Sequence, residues 1–134
     1  MLNTPCPCQS HKSYAQCCQR WHQGDLYLQA PDAEQLMRSR YSAFVLDLLD
    51  YLLATWHPST RPTGLEPNPT GGKWLGLEIK KHLILSPTTQ QVEFVARHRL
   101  QGKASRLHEI SQFVLENNQW LYVDGSFNKR PLYK

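Results

Sequence analysis

This chain of 134 residues lacks the long apolar runs and leader segments that direct proteins into membranes or out of the cell. No window approaches the roughly 18 apolar residues that a membrane-spanning helix requires. The first residues, MLNTPCPCQSHK, contain neither the basic region nor the apolar run of a secretory signal. We therefore expect a cytoplasmic protein with no membrane partner, in a compartment that keeps thiols reduced.

The chain also lacks the short motifs of several common enzyme classes. It contains no Ser-His-Asp order, no glycine-rich phosphate loop and no dinucleotide-binding fingerprint. Its length is that of one domain, which can bury a core of its own without disulfides. The sequence therefore leaves enzymatic activity undecided, and it indicates no oligomeric state.

Charged residues are few and unevenly placed. Residues 1–72 carry 5 Lys or Arg against 6 Asp or Glu, whereas residues 73–134 carry 10 against 5. A basic second half could contact RNA or the ribosome through phosphate groups. The simpler alternative is a solvated basic surface on a sheet.

Cysteine is confined to one short segment, CPCQSHKSYAQCC, which holds all four cysteines of the chain in residues 6–18. Disulfides fit poorly, because two of the cysteines are adjacent and the expected compartment is reducing. A redox site usually shows a Cys-x-x-Cys pair beside a βαβ pattern, and neither is present. Metal binding fits best, since four thiolates complete the tetrahedral shell of Zn²⁺.

The spacing Cys6-x-Cys8-x8-Cys17-Cys18 resembles the SEC-C motif, a small zinc-binding segment found on a bacterial secretion ATPase and many other proteins. The resemblance implies a structural Zn²⁺ ion held by these four cysteines. The motif loop usually reads GSGKKYK, and here it reads QSHKSYA, so that Gln9 and His11 replace glycines. Because four thiolates close such a site, we expect the two nearby histidines to lie at the surface and not to be ligands; these are His11 and His22.

A helical region follows the cysteine segment. Asp32 is predicted as a helix N-cap, and Gln35, three residues later, completes the pattern of a capping box. Apolar residues then recur at spacings of three and four from Leu36 to Trp56, which predicts one amphipathic helix or two with a break at Asp47 or Asp50. Pro58 and the proline- and glycine-rich residues 57–72 predict a long loop.

Four strands are predicted beyond this loop. The first alternates with Leu75, Leu77 and Ile79 on one face and Trp74 on the other. Asn117-Asn118 predicts a hairpin turn before the last strand, which is expected to end at a turn at Asp124-Gly125. The inner faces of the second and third strands are predicted from their alternation: Val92, Phe94, Ala96, His98 and Leu100, then Leu107, Glu109, Ser111, Phe113 and Leu115.

Helices followed by consecutive strands predict an α+β fold with helices packed on an antiparallel sheet. The segments LMRSRYSAF, YLLATWHPS, KWLGLEI and HEISQFVLENNQWLYVDG resemble the middle domain of the uncharacterised YchJ-type proteins. This resemblance implies an NTF2-like, or cystatin-like, cone over residues 25–134, preceded by a SEC-C segment over residues 1–24. It implies no established activity.

Three residues are candidates for catalysis inside such a cone. His57 could be a general base, or a histidine that caps a helix end. Glu109 is expected to be a buried carboxylate or a partner for Arg38, and Arg38 could bind an anionic ligand. Further polar or aromatic candidates are Tyr41, Trp56, His98 and Asp124, whereas Trp74 and Trp120 are expected in the core or at its rim.

Three functions remain open on the sequence alone. The first is a protein-interaction module, in which the zinc segment presents a basic and aromatic surface to a protein partner; its residues are Lys12, Tyr14, Arg20 and Trp21. The secretion ATPase tail, which binds a chaperone and the ribosome, motivates this hypothesis. The second is a cone that binds or converts a small molecule, and the third is RNA or ribosome contact.

Overall fold

A computed structural model describes residues 4–127 of the chain. A 3₁₀ turn at Tyr14–Gln16 leads into a short helix, and two further helices precede four strands. The elements are α1 (Gln19–His22), α2 (Ala33–Val45), α3 (Leu49–Ala54), β1 (Gly72–Ser86), β2 (Thr89–Leu100), β3 (Lys103–Glu116) and β4 (Gln119–Phe127). The predicted α+β fold is confirmed. No helix in this part of the chain is long and apolar enough to cross a membrane.

The central helix begins and ends where local side chains dictate. The carboxylate of Asp32 accepts a hydrogen bond of 2.8 Å from the backbone N–H of Gln35, so the predicted N-cap is present. The predicted break lies at Asp47, whose φ of 57° is left-handed and incompatible with a continuous helix. Helix α3 ends at Ala54, and Trp56, which the spacing placed on the helix, instead forms a parallel bridge to Tyr122.

The four strands form one antiparallel sheet in the order β1-β2-β3-β4. Asn117 and Asn118 connect the last two strands with φ values of 53° and 61°, which asparagine adopts more readily than most residues. The predicted hairpin turn is therefore confirmed. Val92, Phe94 and Phe113 are buried on the face that packs against α2, as the alternation of β2 and β3 predicts.

A β-bulge corrects the predicted face of Trp74. The register of β1 shifts between Trp74, which pairs with His98, and Gly76, which pairs with Arg97. Because Leu77 then pairs with Ala96, Trp74 lies on the same inner face as Leu77 and not on the opposite one. Its ring contacts that of Tyr41 on α2, with centroids 5.7 Å apart.

The cysteine segment and the helix-and-sheet body share one core. The four cysteines and Trp21 belong to the same buried cluster as Leu36, Leu52 and Phe113. Helix α2 is buried on nearly all sides, because the cysteine segment covers one side of it and the sheet covers another. The predicted boundary between residues 24 and 25 stays a prediction.

Strand β4 does not end at Asp124-Gly125, contrary to the predicted turn. Both residues lie within the strand, where Gly125 pairs with Ser111 and Asp124 with Gln112. A Cβ atom built on Gly125 would overlap the side chain of Glu109. Glycine is therefore needed at this position to leave room for a buried carboxylate, and not to make a turn.

Gly125→Ala is expected to lower the free energy of unfolding by about 1–3 kcal/mol, the usual cost of overpacking a filled interior. Urea titration of the folded protein would measure the loss. Gly64→Ala is the matched control, because its Cβ would meet no atom within 4 Å. Combining Gly125→Ala with Glu109→Ala should relieve the overlap, so that the two losses do not add. Strictly additive losses would show that the carboxylate does not require the glycine.

Candidate metal centre and interior cavity

The four cysteine sulfurs form one compact group. All Sγ atoms lie within 4.8 Å of one another, and each cysteine is at most 4% exposed. The Sγ of Cys17 is 3.6 Å from that of Cys8 and 4.0 Å from that of Cys18, and no disulfide is formed. A tetrahedral site with metal–sulfur bonds of about 2.3 Å has edges of about 3.8 Å, so this group has the dimensions of a four-thiolate metal site.

Backbone geometry folds the two cysteine pairs toward each other. The N–H of Cys6 donates to the carbonyl of Lys12 at 3.0 Å, and Pro5 bridges to Ser13. Gln9 and His11 have φ values of 63° and 72°. These are the two positions where the motif usually has glycine, which reaches the left-handed region without strain. The loop therefore follows the tight path that glycines would allow, with larger side chains.

Polar side chains of helix α2 and of the cysteine segment lie against the sulfurs. The guanidinium of Arg38 donates from Nη1 to the carbonyl of Cys8 at 3.1 Å and lies 3.9 Å from its Sγ. The hydroxyls of Ser10 and Ser42 lie 3.1 Å and 3.5 Å from the Sγ atoms of Cys17 and Cys6. Hydrogen bonds to sulfur offset part of the negative charge of thiolates and orient the ligands.

The thiols share their protons unequally. Hydrogen bonds from Cys18 and Cys8 lower the pKa of Cys6 to about 3, and a hydrogen bond from Cys18 lowers the pKa of Cys17 to about 6. The pKa of Cys18 is raised by its contacts with the other sulfurs, of which the contact with Cys17 is the largest cause and that with Cys6 the next. The sulfurs therefore differ in how readily they lose their protons, and a bound cation would favour the thiolate form of all four.

The sequence predicts His22 at the surface, and this prediction is wrong. His22 is buried between the cysteine segment and α2, where Nδ1 is 2.6 Å from the hydroxyl of Tyr14 and Nε2 is 2.8 Å from the carbonyl of Ser39. Burial lowers the pKa of His22. The neutral ring with a proton on Nε2 satisfies both contacts, so this histidine connects the two parts. His11 is exposed, as expected.

The surface predicted for a partner is less aromatic than the sequence indicated. Trp21 is only 6% exposed and belongs to the core, with the guanidinium of Arg20 4.4 Å above its ring. Tyr14 is half-buried by its contact with His22. Lys12 is exposed, and its side chain makes no ion pair or hydrogen bond within residues 4–127.

The three candidates for catalysis lie in three different places. Arg38 is at the cysteine cluster and pairs with Glu34 at 3.2 Å, so it is not the predicted partner of Glu109. The imidazole Nε2 of His57, which is half-buried, lies 3.0 Å from a carboxylate oxygen of the exposed Glu116, and His57 does not cap a helix. Only Glu109 faces the interior. The structure therefore does not bring these residues together as one catalytic group.

A cavity of about 320 Å³ lies between α2 and the inner face of the sheet. Two of the four other site candidates predicted from the sequence, Tyr41 and Trp56, line this cavity. Of the other two, His98 packs on the ring of Trp74 and Asp124 is exposed. The lining is Met37, Arg40, Tyr41, Phe44, Trp56, Trp74, Phe94, Ala96, Leu107, Glu109, Ser111 and Tyr122. Trp120 lies outside the cavity and is buried, with its indole N–H donating to the carbonyl of Pro31.

Arg40 is the interior residue that the sequence reasoning missed. It is 3% exposed, and its guanidinium lies 4.9 Å from the ring centroid of Trp56 and 4.6 Å from that of Tyr122. Burial lowers its pKa to about 10, so it stays charged at neutral pH. Its position four residues after Leu36 and four before Phe44 places it on the apolar face of α2, and that spacing could have identified it.

Sequence comparison matches both parts of the chain. The profile of the YchJ middle NTF2-like domain matches residues 32–125, and that of the SEC-C motif matches residues 3–20. A UPF0225 protein of Bordetella pertussis is 63% identical over 120 residues, which are 90% of this chain and 90% of that protein. A UPF0225 protein of Methylibium petroleiphilum is 56% identical over 124 residues, 92% of this chain and 89% of that protein.

Two solved structures have the same fold. The crystal structure of a SEC-C motif-containing protein from Psychrobacter arcticus has a TM-score of 0.74 and 30% identity, covering 93% of this chain and 83% of that one. The solution structure of a SEC-C motif-containing protein from Rhodopseudomonas palustris has a TM-score of 0.76 and 28% identity, covering 92% and 98%. With its cysteine cluster joined to an NTF2-like body, the chain belongs to the YchJ family, as its sequence predicted.

Proposed function

We propose that the protein is a zinc-stabilised interaction module, in which four thiolates hold one structural Zn²⁺ ion and the loop between them contacts a protein partner. The burial of all four sulfurs in one group carries this proposal. A metal held by four thiolates has no open position for water or substrate, so its role is to shape the chain. A cytoplasmic location, where thiols stay reduced and available to a metal, is part of this proposal.

The ligand set favours zinc among the available metals. A tetrahedral set of four sulfurs suits Zn²⁺ or iron, whereas magnesium, calcium and manganese prefer oxygen ligands. Cys6 and Cys8 lie in the loop segment, and Cys18 directly precedes α1. One ion would therefore fix the loop relative to α1 and, through Arg38 and Ser42, relative to α2.

The exposed side of the loop supports a protein-contact role. Gln9, His11 and Lys12 are exposed, whereas the sulfurs beneath them are buried. An exposed lysine on a loop that a metal holds in place can select an acidic surface on a partner. Because Trp21 is in the core, the contact would rest on Lys12 and its neighbours, and not on an aromatic platform. RNA or ribosome contact through the basic second half stays a prediction.

Protein purified without chelators is expected to contain one zinc ion per chain and no iron, measured by elemental analysis. Cys17→Ser should lose most of the metal, because it removes one of four ligands. Ser105→Ala, which removes a hydroxyl at an exposed position of β3, should keep a full zinc content. Metal-free protein with its thiols free or oxidised into disulfides would overturn the zinc proposal.

Arg38→Gln is expected to weaken zinc binding about tenfold, because the bond to Cys8 helps to orient that ligand. Competition with a chromogenic chelator would measure the affinity. Glu34→Gln removes the ion pair with Arg38 but not the bond to Cys8, and it should have a smaller effect. Arg106→Gln, at an exposed position of β3, should have none. Equal affinities in all four proteins would contradict a role for Arg38 at the metal.

Lys12→Glu is expected to abolish partner binding while the protein keeps its zinc, because only an exposed charge changes. Affinity capture from a bacterial lysate, with quantitative mass spectrometry, would compare it with the unmodified protein. Lys103→Glu makes the same charge change at an exposed position of β3 and should retain the partner.

Identical partners for the unmodified protein and Lys12→Glu would contradict binding through the loop. Loss of the partners after nuclease treatment, or in Lys103→Glu alone, would favour nucleic-acid contact instead.

A further inference from the structure

The cavity beneath α2 has the size and walls of a small-molecule site. Its volume of about 320 Å³ is at the lower end of the range for ligand pockets, roughly 300–1,000 Å³. Aromatic rings from three parts of the fold form its walls: Tyr41 and Phe44 on α2, Trp74 and Phe94 on the sheet, and Trp56 on the segment after α3. Such walls favour a flat aromatic ring.

The carboxylate of Glu109 is held in a fixed position at this cavity. Its Oε2 accepts hydrogen bonds from the hydroxyl of Ser111 at 2.7 Å and from that of Tyr122 at 3.2 Å. The side chain lies against Gly125, where any larger residue would displace it. Its Oε1 has no hydrogen-bond partner within residues 4–127. The carboxylate therefore keeps one acceptor oxygen available.

Several N–H donors at the cavity also lack a hydrogen-bond acceptor among residues 4–127. Nη1 of Arg40 donates to the carbonyl of Leu52 at 2.8 Å and the hydroxyl of Thr55 at 2.7 Å, whereas its Nε and Nη2 have no hydrogen-bond partner in the described part of the chain. The indole N–H of Trp56 is buried and has no partner there either. A buried polar group without a partner is costly, so the indole N–H of Trp56 would gain from an acceptor on a ligand, and the guanidinium of Arg40 has two nitrogens left to donate.

The two interior charges restrict the charge of any occupant. No ion pair within 4 Å joins Arg40 and Glu109 among the described residues, yet both line the same cavity. A cationic ligand would approach the guanidinium, and an anionic ligand would approach the carboxylate. A neutral molecule with both a donor and an acceptor avoids either repulsion and can bind both residues.

We propose that this cavity binds a small uncharged aromatic molecule that carries an amide-like group, with its N–H on Glu109 and its carbonyl on Arg40 or Trp56. The aromatic ring lies between the walls formed by Tyr41, Phe44 and Trp74. This site is separate from the cysteine loop and does not depend on the zinc proposal.

Three probes of similar size test the proposal on the intact protein: benzamide, benzoate and benzylamine. ¹H–¹⁵N spectra would follow the indole N–H signals of Trp56 and Trp74 during titration. Benzamide should shift them saturably, with a dissociation constant on the order of 1 mM for so small a ligand. Benzoate and benzylamine should bind at least tenfold more weakly. Equal binding of all three probes, or no shift with benzamide, would overturn the proposal.

Glu109→Gln is the first diagnostic variant, because it removes the negative charge and keeps an acceptor for Ser111 and Tyr122. The preference for benzamide over benzoate should fall at least tenfold, because the positive charge of Arg40 is then the only charge among the described residues that line the cavity and attracts the carboxylate of benzoate. An unchanged preference would show that Glu109 does not set the specificity.

Ala96→Leu is the second variant, because it places a larger side chain in the cavity. It should abolish benzamide binding while the spectrum stays that of a folded protein. Benzamide binding at unchanged affinity would place the probe elsewhere. If this variant does not fold, the benzamide-to-benzoate preference of Glu109→Gln alone tests whether the probe binds in the cavity.

Discussion

The contact between the cysteine cluster and helix α2 joins the two parts of this protein. Ser42 and Arg38 reach the sulfurs from one side of the helix, and the carbonyl of Ser39 contacts the imidazole of His22. Without this contact, one long side of α2 would expose small and polar residues that the structure buries. The cysteine segment therefore acts as a cover for the main helix, and the geometry of four sulfurs determines where that cover lies.

The opposite side of α2 faces an interior that contains charge. Arg40 satisfies one nitrogen on Leu52 and Thr55 and places its guanidinium near two aromatic rings. Glu109 rests on Ser111 and Tyr122. Each charge is partly satisfied by neutral groups and not by the other charge, although a direct ion pair is the usual arrangement for buried charges. Tyr122 contacts both residues and so limits how far either can move.

Several features of the fold could be predicted from short stretches of sequence, because each of them depends only on residues that are close along the chain. The N-cap at Asp32 and the turn at Asn117-Asn118 require only their own backbone geometry. The bulge at Gly76 could not be predicted in this way. There the amide of Gln9, far away in the sequence, approaches the Gly76 backbone and donates to the carbonyl of Leu75 at 3.4 Å. The positions of Arg38 and Gly125 were missed for the same reason, since contacts distant in sequence determine both.

Helix α2 is consequently held against rotation from two directions. Residues 38 and 42, one turn apart, face the cysteine cluster, whereas residues 37, 41 and 44 face the cavity. A rotation that improved the contacts on one side would withdraw the side chains on the other. The spacing of this single helix therefore fixes both the outer shell of the candidate metal centre and the roof of the cavity. For this reason a helix with little apolar character of its own has one stable orientation in the fold.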